Sequence, residues 1–179
     1  MGEFYKIKSL TEFTNESSDS SLWRNTDYRW LLELLNKGKI KSDNNRFISF
    51  SIKEDSGGQD DFGGTRIEFN SGEIYKQGAI EIYYDAEFFE KYPEISRYVT
   101  GYKTEKDYYK DKGYAGAEEA NEDGELTWED YIGDFEIEDE VVIKEIKFTS
   151  DLIKGVKFIK DKPSKQLITL LNKYNISYT

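Results

Sequence analysis

Phe135-Glu136-Ile137-Glu138-Asp139-Glu140-Val141-Val142-Ile143 alternates apolar and acidic residues before closing on three apolar ones. Such alternation is the signature of a β-strand, in which every second side chain shares a face. Phe135, Ile137, Val141 and Ile143 are therefore expected to point to a core. Glu136, Glu138 and Glu140 share the opposite face, with Cβ atoms about 6–7 Å apart. Carboxylates at that spacing raise one another's pKa, a route to a general base or a cation site. Taken alone, the same pattern also describes a water-solvated strand face whose charge discourages edge pairing.

The stretch ends a wider acidic window. Between Glu118 and Glu140 lie twelve of the chain's 36 acidic residues and no Lys or Arg, leaving 24 acids against 25 bases elsewhere. The net charge of −11 is thus local. Glu118 to Asp130 reads as a solvated, mobile acidic loop, and Glu136 to Glu140 as an ordered ladder.

A chain of 179 residues suits one domain and is long enough to bury a core. With 16% aromatic residues it is too aromatic for a disordered chain. It contains no Cys and no His, which excludes disulfide scaffolds, thiolate or imidazole metal sites, Ser-His-Asp triads and Cys-His dyads. Catalysis, if any, falls to carboxylates, hydroxyls, Lys and Arg. No apolar run approaches the roughly 18 residues of a membrane span. The N-terminal MGEFYKIKS lacks a signal peptide's apolar centre, so a cytoplasmic location is expected.

Outward from the glutamate strand, Phe4 to Leu10 reads as a first strand and Trp23 to Leu35 as a helix, capped by Thr26 or Asp27 and stopped by Gly38. Arg46 to Ser51 is a strand, and GGQDDFGG after it a flexible loop. Thr65–Phe69 and Ala79–Tyr84 are further strands, the first ending in a turn at Asn70-Ser71-Gly72. Asp85 caps a helix, and Pro93 opens another. The segment from about 101 to 133 reads as a long acidic and aromatic insertion of loop or small helices. Its tyrosines (Tyr98, Tyr102, Tyr108, Tyr109, Tyr114) are expected to pack the insertion. Stacking nucleic-acid bases is the competing role, disfavoured because the adjoining acids repel phosphate. Phe135–Phe148 and Gly155–Lys160 follow as strands, and Pro163 starts a closing helix. The order implies a single α+β domain over 1–179, mostly antiparallel.

In Arg46-Phe47-Ile48-Ser49-Phe50-Ser51, Ser49 and Ser51 share one face. Their hydroxyls suit a ligand's phosphate or ribose, or the capping of the following loop. FYKIKS, WLLELLNKGKIKS, RFISFS, GGTRIEF and EIEDEVVI, in that order, resemble the plan of the ADP-ribosyltransferase superfamily, in particular its small phage and abortive-infection branches. The likeness is loose but spans most of the chain. It implies split, mostly antiparallel β-sheets with flanking helices, and NAD as a substrate. It makes Glu140 the catalytic glutamate, Glu138 its acceptor-side partner, and Ser49 the contact to Glu140 and the nicotinamide ribose. Tyr5, Lys6, Ser51 and Arg46 fall in the NAD-binding positions. Where that family places Arg or His in its first strand, this chain has Lys6, which cannot offer a planar fork; Arg46 or Arg66 are the substitutes in view.

Two other functions compete with NAD-dependent ADP-ribosyl transfer to a protein or nucleic acid. One is a non-enzymatic anti-defence inhibitor whose acidic window mimics nucleic-acid phosphates and docks on a basic partner. The other is a carboxylate-bound Mg²⁺ or Ca²⁺ site, weakened by the lack of EF-hand spacing.

Overall fold

Asp27 decides the first boundary. Its carboxylate accepts the Arg29 backbone N–H at 2.8 Å, and helix α1 (Tyr28–Lys37) starts there. Gly38 ends the helix at φ 72°, its N–H returning to the Leu34 carbonyl. Trp23 therefore belongs not to the helix, as its spacing from Trp30 suggests, but to strand β1 (Ser21–Thr26). The computed structural model describes residues 20–43, 46–54, 63–135 and 140–179. The expected strand Phe4–Leu10 with Tyr5 and Lys6, most of the GGQDDFGG loop, and Glu136 and Glu138 lie outside the described residues.

Beyond α1 the elements are β2 (Lys39–Lys41), β3 (Ile48–Ser51), β4 (Thr65–Asn70), α2 (Ser71–Lys76) and β5 (Ile80–Glu81). Then come α3 (Ala86–Lys91), α4 (Pro93–Thr100), α5 (Glu105–Lys112), α6 (Ala117–Glu122) and α7 (Trp128–Gly133). The chain closes with β6 (Glu140–Ile143), β7 (Glu145–Lys147), β8 (Ile153–Phe158), α8 (Lys165–Lys173) and β9 (Ser177–Tyr178). A seven-stranded sheet in the order β5-β6-β3-β1-β4-β8-β9 carries the fold, antiparallel except where β9 joins β8 in parallel. A small second sheet pairs β2 with β7. The architecture is α+β, with a mostly antiparallel, mixed sheet and flanking helices.

Several boundaries move. Asn70 caps a short helix, α2, where a turn was expected, because its side chain accepts the Gly72 N–H at 3.0 Å. The Phe135–Phe148 strand divides at Lys144: β6 pairs with β3 and β5, and β7 crosses to β2. The closing helix starts at Lys165 rather than at Pro163, with Ser164 as its cap accepting the Leu167 N–H at 3.2 Å. The acidic stretch expected to be a mobile loop folds as α6 and α7, the latter held by a Thr127–Asp130 capping box.

Both faces of the sheet are covered near β6. On the first, Leu31, Leu34 and Leu35 of α1 and Leu167 and Leu171 of α8 bury against Phe50, Ile67, Phe69, Val141 and Ile143. Each such side chain stabilises the fold by about 1.5–3 kcal/mol on burial. On the second, Phe89, Ile95, Tyr108, Tyr109, Trp128 and Ile132 of α3, α4, α5 and α7 pack against Val142 and Ile82. The tyrosines of the insertion do pack, Tyr108 stacking on Tyr131 with ring centroids 4.7 Å apart.

Candidate functional site

The site lies where the central sheet loses its pairing. β1 registers with β4 over six pairs, but with β3 only at Trp23↔Ser51 among the described residues. Past that pair a side chain takes the place of the ladder. Arg24 donates from Nη1 to the Ser49 carbonyl at 2.7 Å. Its guanidinium also lies 5.0 Å from the centre of the Trp30 ring of α1, a cation–π contact. The Arg24 Nε is buried without a hydrogen-bond partner.

Ser49 and Glu140 meet because of the β3–β6 register. Ser49↔Val142 and Ser51↔Glu140 are paired, so these four side chains share the second face, opposite Phe50 and Val141. Glu140 is pinned by Ser51 on one side, while its carbonyl accepts the Ile82 N–H at 2.9 Å on the other. Its side chain lies on the same face as Ser49, one same-face pair along the β3–β6 ladder. α4 delivers Tyr98 from the helical layer, its ring packing on Phe47 at 5.3 Å.

Electrostatics follow from this enclosure. Burial pushes the Glu140 carboxyl above its ordinary value, against the opposing pull of the Ser49 hydrogen bond and the Arg24 charge. Tyr98 is raised by burial and then by Glu140; Ser49, Arg24 and Arg46 oppose the rise. Burial lowers Arg24, with Tyr98 and Glu140 opposing. A guanidinium stays charged through such a shift, so the site holds a fixed cation beside a carboxylate of reduced acidity. Arg24, Ser49, Tyr98 and Glu140 are each only partly buried, so each reaches solvent.

Other expected residues go elsewhere. The Ser51 hydroxyl closes the turn after β3, donating to the Lys53 carbonyl at 2.8 Å and accepting the Lys53 N–H at 3.1 Å. Arg46 is exposed, and Arg66 is engaged with Asn25 Oδ1 at 3.1 Å and Glu54 at 3.6 Å. Arg24 and Tyr98 are the members that sequence reasoning did not place. Among the described residues no group of three or more acidic side chains is arranged to hold a metal ion.

Two surface hollows flank the site without containing Glu140, Ser49 or Arg24. One, of about 520 Å³, sits by Lys76, Gln77, Lys144 and Lys147. The other, of about 220 Å³, lies between Trp23, Arg66, Glu68 and Tyr178. A cross-strand row, Glu140–Ser51–Trp23–Glu68, links this smaller hollow to the carboxylate. Trp23 is two strand spacings from Glu140, about 10 Å.

No family model matches the chain, and no curated protein or solved structure is detectably similar to it.

Proposed function

We propose that the protein is an ADP-ribosyltransferase-like enzyme that uses NAD and modifies a protein or nucleic acid, in a phage- or defence-related setting. The observation that carries the reading is the convergence of Arg24, Ser49 and Glu140 at the break between β1 and β3. The resemblance calls for a basic residue in the strand before the helix that ends Leu34-Leu35-Asn36-Lys37-Gly38. Among the described residues the strand directly before that helix is β1, and its Arg24 carries the planar fork that Lys6 lacks, with Nη1 engaged on the Ser49 carbonyl.

In the proposed reaction the bond between C1′ of the ribose and the nicotinamide nitrogen breaks, and nicotinamide leaves with the electron pair. The Glu140 carboxylate stabilises the positive charge left on the sugar, in a setting whose dipoles are already oriented. Ser49 holds that carboxylate and the ribose, and Arg24 meets the dinucleotide's phosphates. A nucleophile on the acceptor then bonds to C1′ and releases its proton to solvent. Glu140 must be ionised to do this, so activity rises with pH through its raised value. Incubation of the protein with labelled NAD and a host lysate is expected to label a target, and Glu140→Gln to abolish the labelling. Unchanged labelling by Glu140→Gln would exclude Glu140 from the chemistry.

A second reading has its own observation. Glu118, Glu119, Glu122, Asp123, Glu125, Glu129, Asp130 and Asp134 are all exposed on or beside α6 and α7. An ordered acidic surface suits a basic partner. In that case neutralising several of these acids together, or adding salt, weakens binding, while Glu140→Gln has no effect.

A further inference from the structure

We infer that the smaller hollow, at the Trp23–Glu68 end of the row that starts from Glu140, is a second ligand site that takes a single uncharged nucleobase, guanine being the base whose edge it matches. The inference is independent of the transferase reading of Glu140.

The pairing of β1, β4, β8 and β9 lays out two rows on one face. Trp23, Glu68, Gly155 and Ser177 form the first, and Asn25, Arg66 and Lys157 the second. Gly155 leaves a gap in the first row. Glycine inside a strand marks a bulge or a close approach. The register does shift nearby, between Glu68 and Phe69, but Gly155 is not among the glycines at positive φ, so the irregularity does not require glycine there. A Cβ on Gly155 would meet Ser177 Oγ at 3.6 Å and Glu68 Oε2 at 3.7 Å, both ordinary contacts. What the missing side chain leaves is room, and Gly155 lines the hollow of about 220 Å³. That volume is below the roughly 300–1,000 Å³ of sites that enclose a larger ligand, and suits one ring system.

The lining is balanced in charge. Glu54 and Glu68 stand with Arg66 and Lys157, so neither an anion nor a cation gains a net attraction. Trp23 adds a flat apolar surface two strand spacings from Gly155, about 10 Å. A flat, uncharged ring with polar edges fits this lining. Arg66 and Glu68 then select the edge, because they stand two residues apart on β4, about 6–7 Å, a span that one purine edge can bridge. Arg66 is only 7% exposed, and Asn25 Oδ1 at 3.1 Å fixes its Nε. Its Nη1 lies 3.6 Å from the half-exposed Glu54 carboxylate, longer than a charge-assisted hydrogen bond, so a ligand oxygen can replace that contact. Glu68 Oε1 takes the Ser21 hydroxyl at 2.6 Å, and Oε2 is turned toward the gap at Gly155. A carboxylate oxygen only accepts. The ligand must therefore present an acceptor to Arg66 and donors to Glu68. Guanine carries both: O6 and N7 accept from a guanidinium, and N1–H and the 2-amino group donate. Adenine would set its N1 acceptor against the carboxylate. The net charge of −11 repels a polynucleotide, so the ligand is the free base or nucleoside.

The test is calorimetric titration of guanosine into the intact protein, with adenosine and a guanine-bearing single-stranded oligonucleotide as comparisons, repeated on Gly155→Val and Glu68→Gln. Valine fills the gap without straining the backbone. In the glutamine variant the amide oxygen stays with the Ser21 hydroxyl, so the amide NH₂ faces the donors of the ligand. Wild type is expected to bind guanosine, and adenosine about tenfold or more weakly; each variant is expected to lose about tenfold or more in guanosine affinity while melting close to wild type. If Gly155→Val does not fold, Glu68→Gln decides alone. Failure of wild type to bind guanosine would overturn the inference. So would equal binding of adenosine, undiminished binding by either folded variant, or tighter binding of the oligonucleotide than of guanosine.

Discussion

Replacing Glu140 with glutamine is expected to remove activity while leaving the protein slightly more stable at neutral pH. The side chain is nearly isosteric, so the packing around it is kept. What disappears is the charge. Burial is the largest influence on this carboxyl and outweighs the help from Ser49 and Arg24, so the folded state prefers it neutral. A carboxyl raised in the folded state stabilises the fold fully below the unfolded carboxylate range, near pH 4. That contribution is lost as pH rises through the folded value. Wild type and Glu140→Gln should therefore melt alike at acid pH and separate above it, the variant gaining up to about 1 kcal/mol, or about 2–4 °C in Tm for a chain of this size. Differential scanning calorimetry from pH 4 to pH 8 measures this directly, since all other carboxylates are common to both proteins. A loss of more than about 1 kcal/mol at pH 7 would refute the reasoning, because the Arg24 attraction would then outweigh burial and Glu140 would be a structural ion-pair partner.

Arg24→Lys keeps the charge but loses the Nη1 bond to the Ser49 carbonyl and the stacking on Trp30; urea unfolding is expected to show a loss of about 1 kcal/mol, with NAD turnover reduced more than stability alone explains. Gly63→Ala is expected to cost more than about 2 kcal/mol: φ is 149°, and a Cβ there would lie 2.7 Å from the Asp27 backbone nitrogen and closer still to the Thr26 carbonyl. Asp161→Ala removes the acceptor of both the Tyr28 N–H and the Thr65 hydroxyl, at 2.9 and 2.7 Å, and should destabilise by about 1–3 kcal/mol in the same assay.

How much of the site was legible depends on the range of the interaction that places each residue. Glu140 opposite Val141, and Ser49 opposite Phe50, follow from the two-residue period of a strand, which the apolar pattern displays openly. Their meeting needs only that β3 and β6 pair, and Ser49↔Val142 does the rest. Arg24 was hidden because Trp23 stands seven residues before Trp30, a helical interval that merges the end of β1 with α1. Asp27 held the corrective signal, since a cap at that position leaves Trp23 and Arg24 on the strand side. Tyr98 had no local signal: it sits on a helix some forty residues before β6, and only the folding of α4 onto the sheet brings it against Phe47, two residues before Ser49. Ser51 shares its face with Ser49, but a two-residue hydrogen bond to Lys53 captures it, and face alternation cannot foresee that competition.

The break between β1 and β3 also divides the main sheet into two panels. Strands β5, β6 and β3 form one, and β1, β4, β8 and β9 the other, stitched among the described residues by one backbone pair and the Arg24–Ser49 bond. The seam is thus partly made of side chain, and a side chain can let go where a backbone ladder cannot. Any ligand that draws the guanidinium toward itself competes with the Ser49 carbonyl for the same donor, and so loosens one panel from the other as it binds. Occupancy and sheet continuity would then be opposing demands on a single arginine. Amide exchange along β3 is where that tension would surface, faster with the guanidinium engaged and slower with the seam closed.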